Sequence, residues 1–252
     1  MEAYQIKTRV IQAMAMPFSI KVVLSPENQW SQDQFDQVVM AINRELRHVD
    51  EVFSPFKSTS ILCRFQQGEL AADDFSSEFQ SVYGLAIRAQ TVTQGAFNPF
   101  YRGPFDPTGL VKGWAIEQVF RHYLRPLLVR EVISAAAING AGDIQMGVAA
   151  TSDFRWAVGV EDPNNRQRLL AQYQIANGAM ATSGTSQHGE HISRLNSQRH
   201  LQQATVVSAD LVTADVWATA AISAGPEKFK QLTQGLSLQS VLVDGQNKIV
   251  HS

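Results

Sequence analysis

Asp215 and Thr219 stand four residues apart in a run of small apolar residues, Ala214 to Ala224. In a helix that spacing puts the carboxylate and the hydroxyl on one face, one turn apart. Two hard oxygen donors so placed suit Mg²⁺, which keeps its other positions for water, backbone carbonyls or phosphate. The same residues have a plainer reading. Thr213 would cap the helix, and Asp215 would favour its positive end. Spacing alone does not choose between them.

Three further segments carry residue types suited to a phosphate-bearing ligand. Asn139-Gly140-Ala141-Gly142-Asp143 follows the apolar run Val132 to Ile138. Its glycines would let the backbone approach a ligand closely, while Asn139 and Asp143 gripped hydroxyls or a phosphate's metal. A tight turn between two strands explains it equally well. It is not the dinucleotide G-x-G-x-x-G fingerprint, because the third glycine, Gly147, comes two residues late. Asp106 to Gly113 runs from a turn into a helix, where free N–H groups and Lys112 would hold an anion. It departs from the phosphate-loop pattern, since Gly113 follows Lys112 where Ser or Thr belongs; a solvated lysine in a first helical turn is the alternative. Thr182-Ser183-Gly184 leads to His188 and His191 in what reads as a polar, glycine-containing loop. A histidine there would take a proton from an attacking hydroxyl, or simply be solvated; Glu190 is the only acidic residue at short spacing. Cys63 sits in an apolar run and reads as packing.

Strands and helices must position these groups. Phe18, Ile20, Val22 and Leu24 alternate with polar residues, as a half-buried strand does, with Val23 the one apolar residue on the other face. Between Asp33 and Val52, Phe35, Val38, Val39, Ile42, Leu46 and Val49 recur at helical spacing. Ser76 to Thr93 and Lys112 to Leu124 also read as helices, and Ala214 to Ala224 as a buried one. Phe154 to Val160, Ser240 to Gly245 and Lys248 to Val250 read as strands, and Thr205 to Val207 as a short β-branched run. The elements mix without the regular alternation of a doubly wound sheet, which implies an α+β fold.

Composition narrows the function classes. The 252 residues are 44% hydrophobic and 17% charged, and a chain this long buries roughly three quarters of its unfolded surface. One domain over residues 1–252, with two closely packed lobes allowed, is the expected organisation. A formal net charge of -2 argues against a dedicated nucleic-acid surface or an anionic-membrane surface. With one cysteine there is no intrachain disulfide framework. No apolar run approaches the ~20 residues of a membrane span, and the N-terminus lacks a signal-type apolar stretch. A cytoplasmic address is expected, or a periplasmic one if a signal peptide has been removed.

Taken in order, the segments resemble the FAD:protein FMN transferase (ApbE) family. Met16 to Ile20 looks like its opening strand, Phe53 to Phe56 with Ser60 to Gln66 like its "S-x-I-S-R-L-N" region, and Gly95 to Pro99 like "G-A-F-D-P". Asp106 to Gly113 is similar to "D-x-G-G-x-A-K-G", Asn139 to Asp143 to "N-x-G-G-D", and Trp156 to Pro163 to "W-x-V-G-I-x-D-P". Thr182 to Gly184 is similar to "T-S-G", and Ala214 to Thr219 matches "A-D-A-x-A-T". The last motif and the Lys-Gly motif are the most diagnostic.

The resemblance implies an enzyme that binds FAD and Mg²⁺, splits the pyrophosphate, and moves FMN onto a threonine of an acceptor flavoprotein, releasing AMP. Some members instead hydrolyse FAD to FMN and AMP, and a non-catalytic FAD-binding protein is a third possibility. It implies Asp215 and Thr219 as metal ligands, joined by a main-chain carbonyl just before Lys112. Lys112, Asn139, Asp143, Thr182 and Ser183 would line the nucleotide site, and His191 would be the base. The implied fold is a pair of T-fold-like α+β units, with mixed or antiparallel sheets packed with helices. The sequence departs from the family pattern at Gln66, Asn98, Thr108, Val111 and Ala141. It also departs after His191, where Ile192-Ser193-Arg194-Leu195-Asn196 lacks the Asp-Pro and Thr-Gly parts.

Overall fold

The computed structural model describes residues 4–28, 30–184 and 201–251. Two N-terminal strands, β1 (Gln5–Ala13) and β2 (Met16–Leu24), form a hairpin. Helices α1 (Gln32–Phe53), α2 (Ile61–Gln66), α3 (Ser77–Val92) and α4 (Thr108–Val119) follow. A π-helical stretch, Phe120–Leu124, joins α4 to the short α5 (Arg125–Val129). Then come β3 (Ala135–Gly140), β4 (Asp143–Val148), β5 (Trp156–Asp162), β6 (Asn165–Ile175) and β7 (Gly178–Gly184). The described chain closes with β8 (Leu201–Ser208), α6 (Leu211–Leu232), β9 (Gln239–Asp244) and β10 (Ile249–His251).

Eight of these strands form one antiparallel sheet in the order β1-β2-β3-β4-β7-β8-β9-β10, and β5 pairs with β6 as a separate ribbon. This is the expected α+β class. Side-chain alternation divides the sheet between two apolar clusters. Phe18, Ile20, Val22, Ala136, Ile138, Ala179, Ala181, Ala204 and Val206 face the helices. Val23, Ala135, Ala137, Met146, Met180, Val241 and Val243 face the ribbon, whose Trp156, Val158 and Val160 cover them. Val23, the one apolar residue on the second face of its strand, thus sits beneath the ribbon.

Local chemistry explains the helices. Ser31 and Gln34 form a capping box at the start of α1: the Ser31 hydroxyl accepts from the Gln34 N–H at 3.2 Å, and the Ser31 N–H donates to Gln34 Oε1 at 2.8 Å. Phe35, Val39, Ile42, Leu46 and Val49 then recur at helical spacing and are buried against the sheet. Each such side chain contributes about 1.5–3 kcal/mol. Ser60 and Ser76 cap α2 and α3 with their hydroxyls alone, which accept from the Cys63 and Phe79 N–H groups. The cap of α6 is Asp210, whose Oδ1 accepts from the Thr213 N–H at 2.8 Å. Thr213 is therefore inside the helix as the donor, correcting the expectation that it caps. The helix expected from Lys112 begins earlier, at Thr108. No helix among the described residues is long and apolar enough to cross a membrane.

Candidate active site

Helices α4 and α6 pack side by side over β4 and β7, and their contacts bring the sequence-predicted polar groups together. Asp215 is the fifth residue of α6, beyond the turn whose amides Asp210 caps. It is 6% exposed, and its carboxylate accepts a hydrogen bond from the Gly113 backbone N–H of α4. A Cβ on Gly113 would lie 2.8 Å from Asp215 Oδ2, so only glycine admits this approach. One turn further along α4, Glu117 Oε2 accepts from the Val212 N–H at 3.1 Å. The step from Gly113 to Glu117 runs up α4 while that from Asp215 to Val212 runs down α6, so the two helices lie antiparallel.

Lys112 reaches from α4 to the start of β4. Its ammonium lies 2.8 Å from Asp143 Oδ2, with Asp143 fully buried and the Lys112 side chain 21% exposed. Asp143 Oδ1 accepts from the Thr182 backbone N–H at 3.1 Å. The β3–β4 turn sets the aspartate there. Gly140 pairs with Asp143 across a two-residue loop in which Ala141 and Gly142 have φ of 50° and 99°. Positive φ at both loop positions is the turn that matches strand twist. Asn139 closes it, its Oδ1 accepting from the Gly142 N–H at 3.0 Å. The segment is therefore the tight turn between strands that its composition allowed, and the same turn delivers Asp143 to the helix-facing side.

Ser183 and Thr219 meet at 3.2 Å between hydroxyl oxygens, joining β7 to α6. Thr182 to Gly184 end strand β7, correcting the expectation of a loop there. Their alternation matters. Ser183 shares the helix-facing side with Ala181, whereas the Thr182 side chain points to the ribbon side and pairs with the Thr205 hydroxyl at 2.9 Å. Thr182 thus presents its amide to Asp143 and turns its hydroxyl away. His191, with His188 and Glu190, lies outside the described residues.

Two buried carboxylates share one ammonium in this cluster. Burial, then the charge of Asp143, pushes the Asp215 carboxyl up to about 8, against the pull of Lys112 and the Gly113 N–H. Burial works to strip the Lys112 proton, but Asp143 and Asp215 together outweigh it and raise the ammonium's pKa. A divalent cation beside Asp215 would relieve the excess of negative charge. Asp215, Thr219 and Ser183 supply oxygen donors of the type Mg²⁺ takes, while the Lys112 ammonium suits a phosphate. No group of three or more His, Cys, Asp or Glu side chains among the described residues could ligate a metal.

Gly113 and Glu117 are the participants that sequence reading passed over as site residues. Glu117 follows Gly113 at one helical turn, which is the signal that it shares a face with the site.

The ApbE family model matches residues 102–242, over half of the chain. The chain belongs to the ApbE family. Its matched region contains Lys112, Asn139, Asp143, Thr182, Ser183, Asp215 and Thr219, the residues that the family resemblance singled out. Solved ApbE structures share the fold. The flavin transferase ApbE from Vibrio cholerae is 20% identical, with a TM-score of 0.71 over 96% of this chain and 94% of that one. The flavinyl transferase ApbE of Pseudomonas stutzeri, in its apo form, is 14% identical with a TM-score of 0.76, covering 100% and 97%. The ApbE protein of Thermotoga maritima is 16% identical with a TM-score of 0.76, covering 98% and 97%. A search of curated proteins finds no match.

Proposed function

We propose that this chain is an Mg²⁺-dependent FAD:protein FMN transferase, cleaving the FAD pyrophosphate and attaching FMN to a threonine of an acceptor flavoprotein. The observation that carries the reading is the buried Asp215, held against Gly113 beside the Lys112–Asp143 pair, in a chain of the ApbE family. Flavin transferases of this fold from Vibrio cholerae and Pseudomonas stutzeri support the same activity.

Asp215 and Thr219 would hold the metal, with the carbonyl preceding Lys112 on the adjoining turn of α4. Bound there, Mg²⁺ supplies neutralisation of the charge that grows on the pyrophosphate. Lys112 places a positive charge beside the phosphates, and Asp143 holds that ammonium in place. Ser183 orients Thr219 through their shared hydrogen bond. The acceptor threonine's oxygen bonds to the FMN phosphorus as the bond from that phosphorus to the bridging oxygen breaks. AMP leaves with the bridging oxygen, and the threonine proton passes to His191.

Chromatography of FAD incubated with the protein and Mg²⁺, with and without acceptor, tests the reading. Covalently flavinylated acceptor plus AMP is the expected result. Free FMN and AMP alone would replace it with an FAD diphosphatase, and intact FAD under all metal conditions would leave a flavin-binding protein.

A further inference from the structure

Glu117 lies outside the set of groups that would touch the nucleotide or the metal, yet its carboxylate is spent on a single task. It accepts hydrogen bonds from the Val212 N–H, at 3.1 Å, and from the Leu211 N–H, the first two amides of α6. Helix-start amides have no partner within their own helix. Asp210 already satisfies the Thr213 amide of the same turn, at 2.8 Å. The Leu211 and Val212 amides are answered from a different helix, which makes the bond a tie between elements as well as a cap. Burial raises the Glu117 pKa and the neighbouring Asp210 charge adds to that, while the two amides oppose it. The positive end of α6 favours both carboxylates.

We infer that Glu117 is a positioning residue: it fixes the axial register of α6 against α4, and so holds Asp215 and Thr219 opposite Lys112, Asp143 and Ser183. The inference rests on the proposed metal-dependent function. Glu117 stands one turn beyond Gly113 on α4, and Val212 stands about one turn before Asp215 on α6. The Glu117–Val212 bond and the Gly113–Asp215 bond are therefore two rungs between antiparallel helices. Slippage of α6 by one residue would move Asp215 about 1.5 Å along the helix axis. That is enough to part it from the Gly113 N–H and to separate Thr219 from Ser183. A misplacement of that size costs on the order of a hundredfold in a reaction that depends on geometry.

The test compares wild type, E117A, E117Q and D210A. Mn²⁺ affinity is read by electron paramagnetic resonance without FAD, kcat and KM for FAD are measured with Mg²⁺, and Tm controls for the fold. E117A is expected to weaken Mn²⁺ binding and lower kcat by about tenfold or more, with KM for FAD within about threefold of wild type. The glutamine of E117Q keeps an acceptor oxygen for the two amides and is expected to restore both to within about threefold. D210A removes the helix's own cap, so it is expected to lower Tm as E117A does while leaving Mn²⁺ affinity nearly unchanged. Should E117A fail to fold, E117D carries the test, its shortened carboxylate weakening Mn²⁺ binding by about fivefold. Wild-type Mn²⁺ affinity in E117A, or in E117D where that variant is used, overturns the inference. So does an equal loss of affinity in D210A, which would reduce Glu117 to a stabilising cap. Absence of Mn²⁺ binding in the wild type overturns the proposed metal site and this inference with it.

Discussion

The two faces of the eight-stranded sheet are built from the same strands, yet they carry different chemistry. On β4, Ile144, Met146 and Val148 turn to the ribbon and enter its apolar cluster, while Asp143 turns to the helices and takes Lys112. On β7 the split is sharper, because adjacent hydroxyls go to opposite sides. Ser183 meets Thr219 of α6, and Thr182 meets Thr205 beneath the ribbon. The helix side buries two carboxylates and one ammonium. The ribbon side gives these strands apolar contacts, a neutral hydroxyl pair and one indole N–H, from Trp156 to the Gly147 carbonyl at 3.3 Å. Family motifs list neighbouring residues as one unit, but the period of a strand assigns them to different faces. Under the proposed function, reactivity belongs to the helix side, and stability is what the ribbon side contributes.

Substitutions can break that contrast, and the largest effect is expected at Asp215. D215A should lower Mg²⁺-dependent FAD cleavage by about a hundredfold or more while circular dichroism stays native, since it removes the proposed hard ligand without opening a large apolar cavity. G113A comes next. Its Cβ would fall 2.8 Å from Asp215 Oδ2, so turnover should drop about 10–100-fold and unfolding free energy by about 1–3 kcal/mol. Wild-type kinetics in G113A would show that the close approach of α4 to Asp215 is dispensable.

Ser183 and Thr182 sharpen the comparison directly. S183A should slow turnover by about tenfold through loss of the Thr219 contact. T182V should leave turnover within about threefold and cost about 1 kcal/mol of stability, by stranding the Thr205 hydroxyl. Steady-state kinetics with urea unfolding separates the two, and a larger kinetic loss in T182V would reverse the assignment of faces.

The charge imbalance on the helix side gives a pH signature. The Asp215 carboxyl titrates near 8 in the folded chain against an ordinary value of 3.8. Between those values the folded state holds a proton that the unfolded state has released. Metal-free stability therefore falls as pH rises through that window and levels off above it. D215N removes this contribution. Measured without metal at pH 5 and pH 8, wild type should lose on the order of 1–3 kcal/mol more than D215N; equal losses would contradict the burial of a reluctant charge. The smallest effect is at the turn that delivers Asp143. Ala141 has a φ of 50°, so A141G should raise stability by about 0.5–1 kcal/mol, readable as a Tm increase with turnover unchanged.

Much of the scaffold was legible because burial imposes a period. Phe18 to Leu24 alternate since one face of β2 meets the helices, and Phe35 to Val49 recur since α1 buries one stripe. The edge strand β1 escaped notice because Ile6 and Val10 are more than half exposed, so its pattern carries little core signal. Strand β6 escaped for a related reason, its outer residues Arg166 and Arg168 being exposed. In the candidate site, motif order singles out Asp215 and Lys112. What stayed hidden was their pairing: Asp143 finds Lys112 only through the fold, and Asp215 finds Gly113 only because α4 and α6 pack antiparallel. Thr182 was grouped with Ser183 because a short polar stretch with a glycine reads as loop. As the end of a strand it has two faces instead.

The most direct measurement is intact mass spectrometry of a threonine-bearing acceptor incubated with FAD and Mg²⁺ and either wild-type protein or D215A. Wild type should add one FMN to the acceptor and release AMP, and D215A should leave both acceptor and FAD unchanged. An acceptor that D215A modifies as fast as wild type, or that wild type leaves unmodified, would contradict the account.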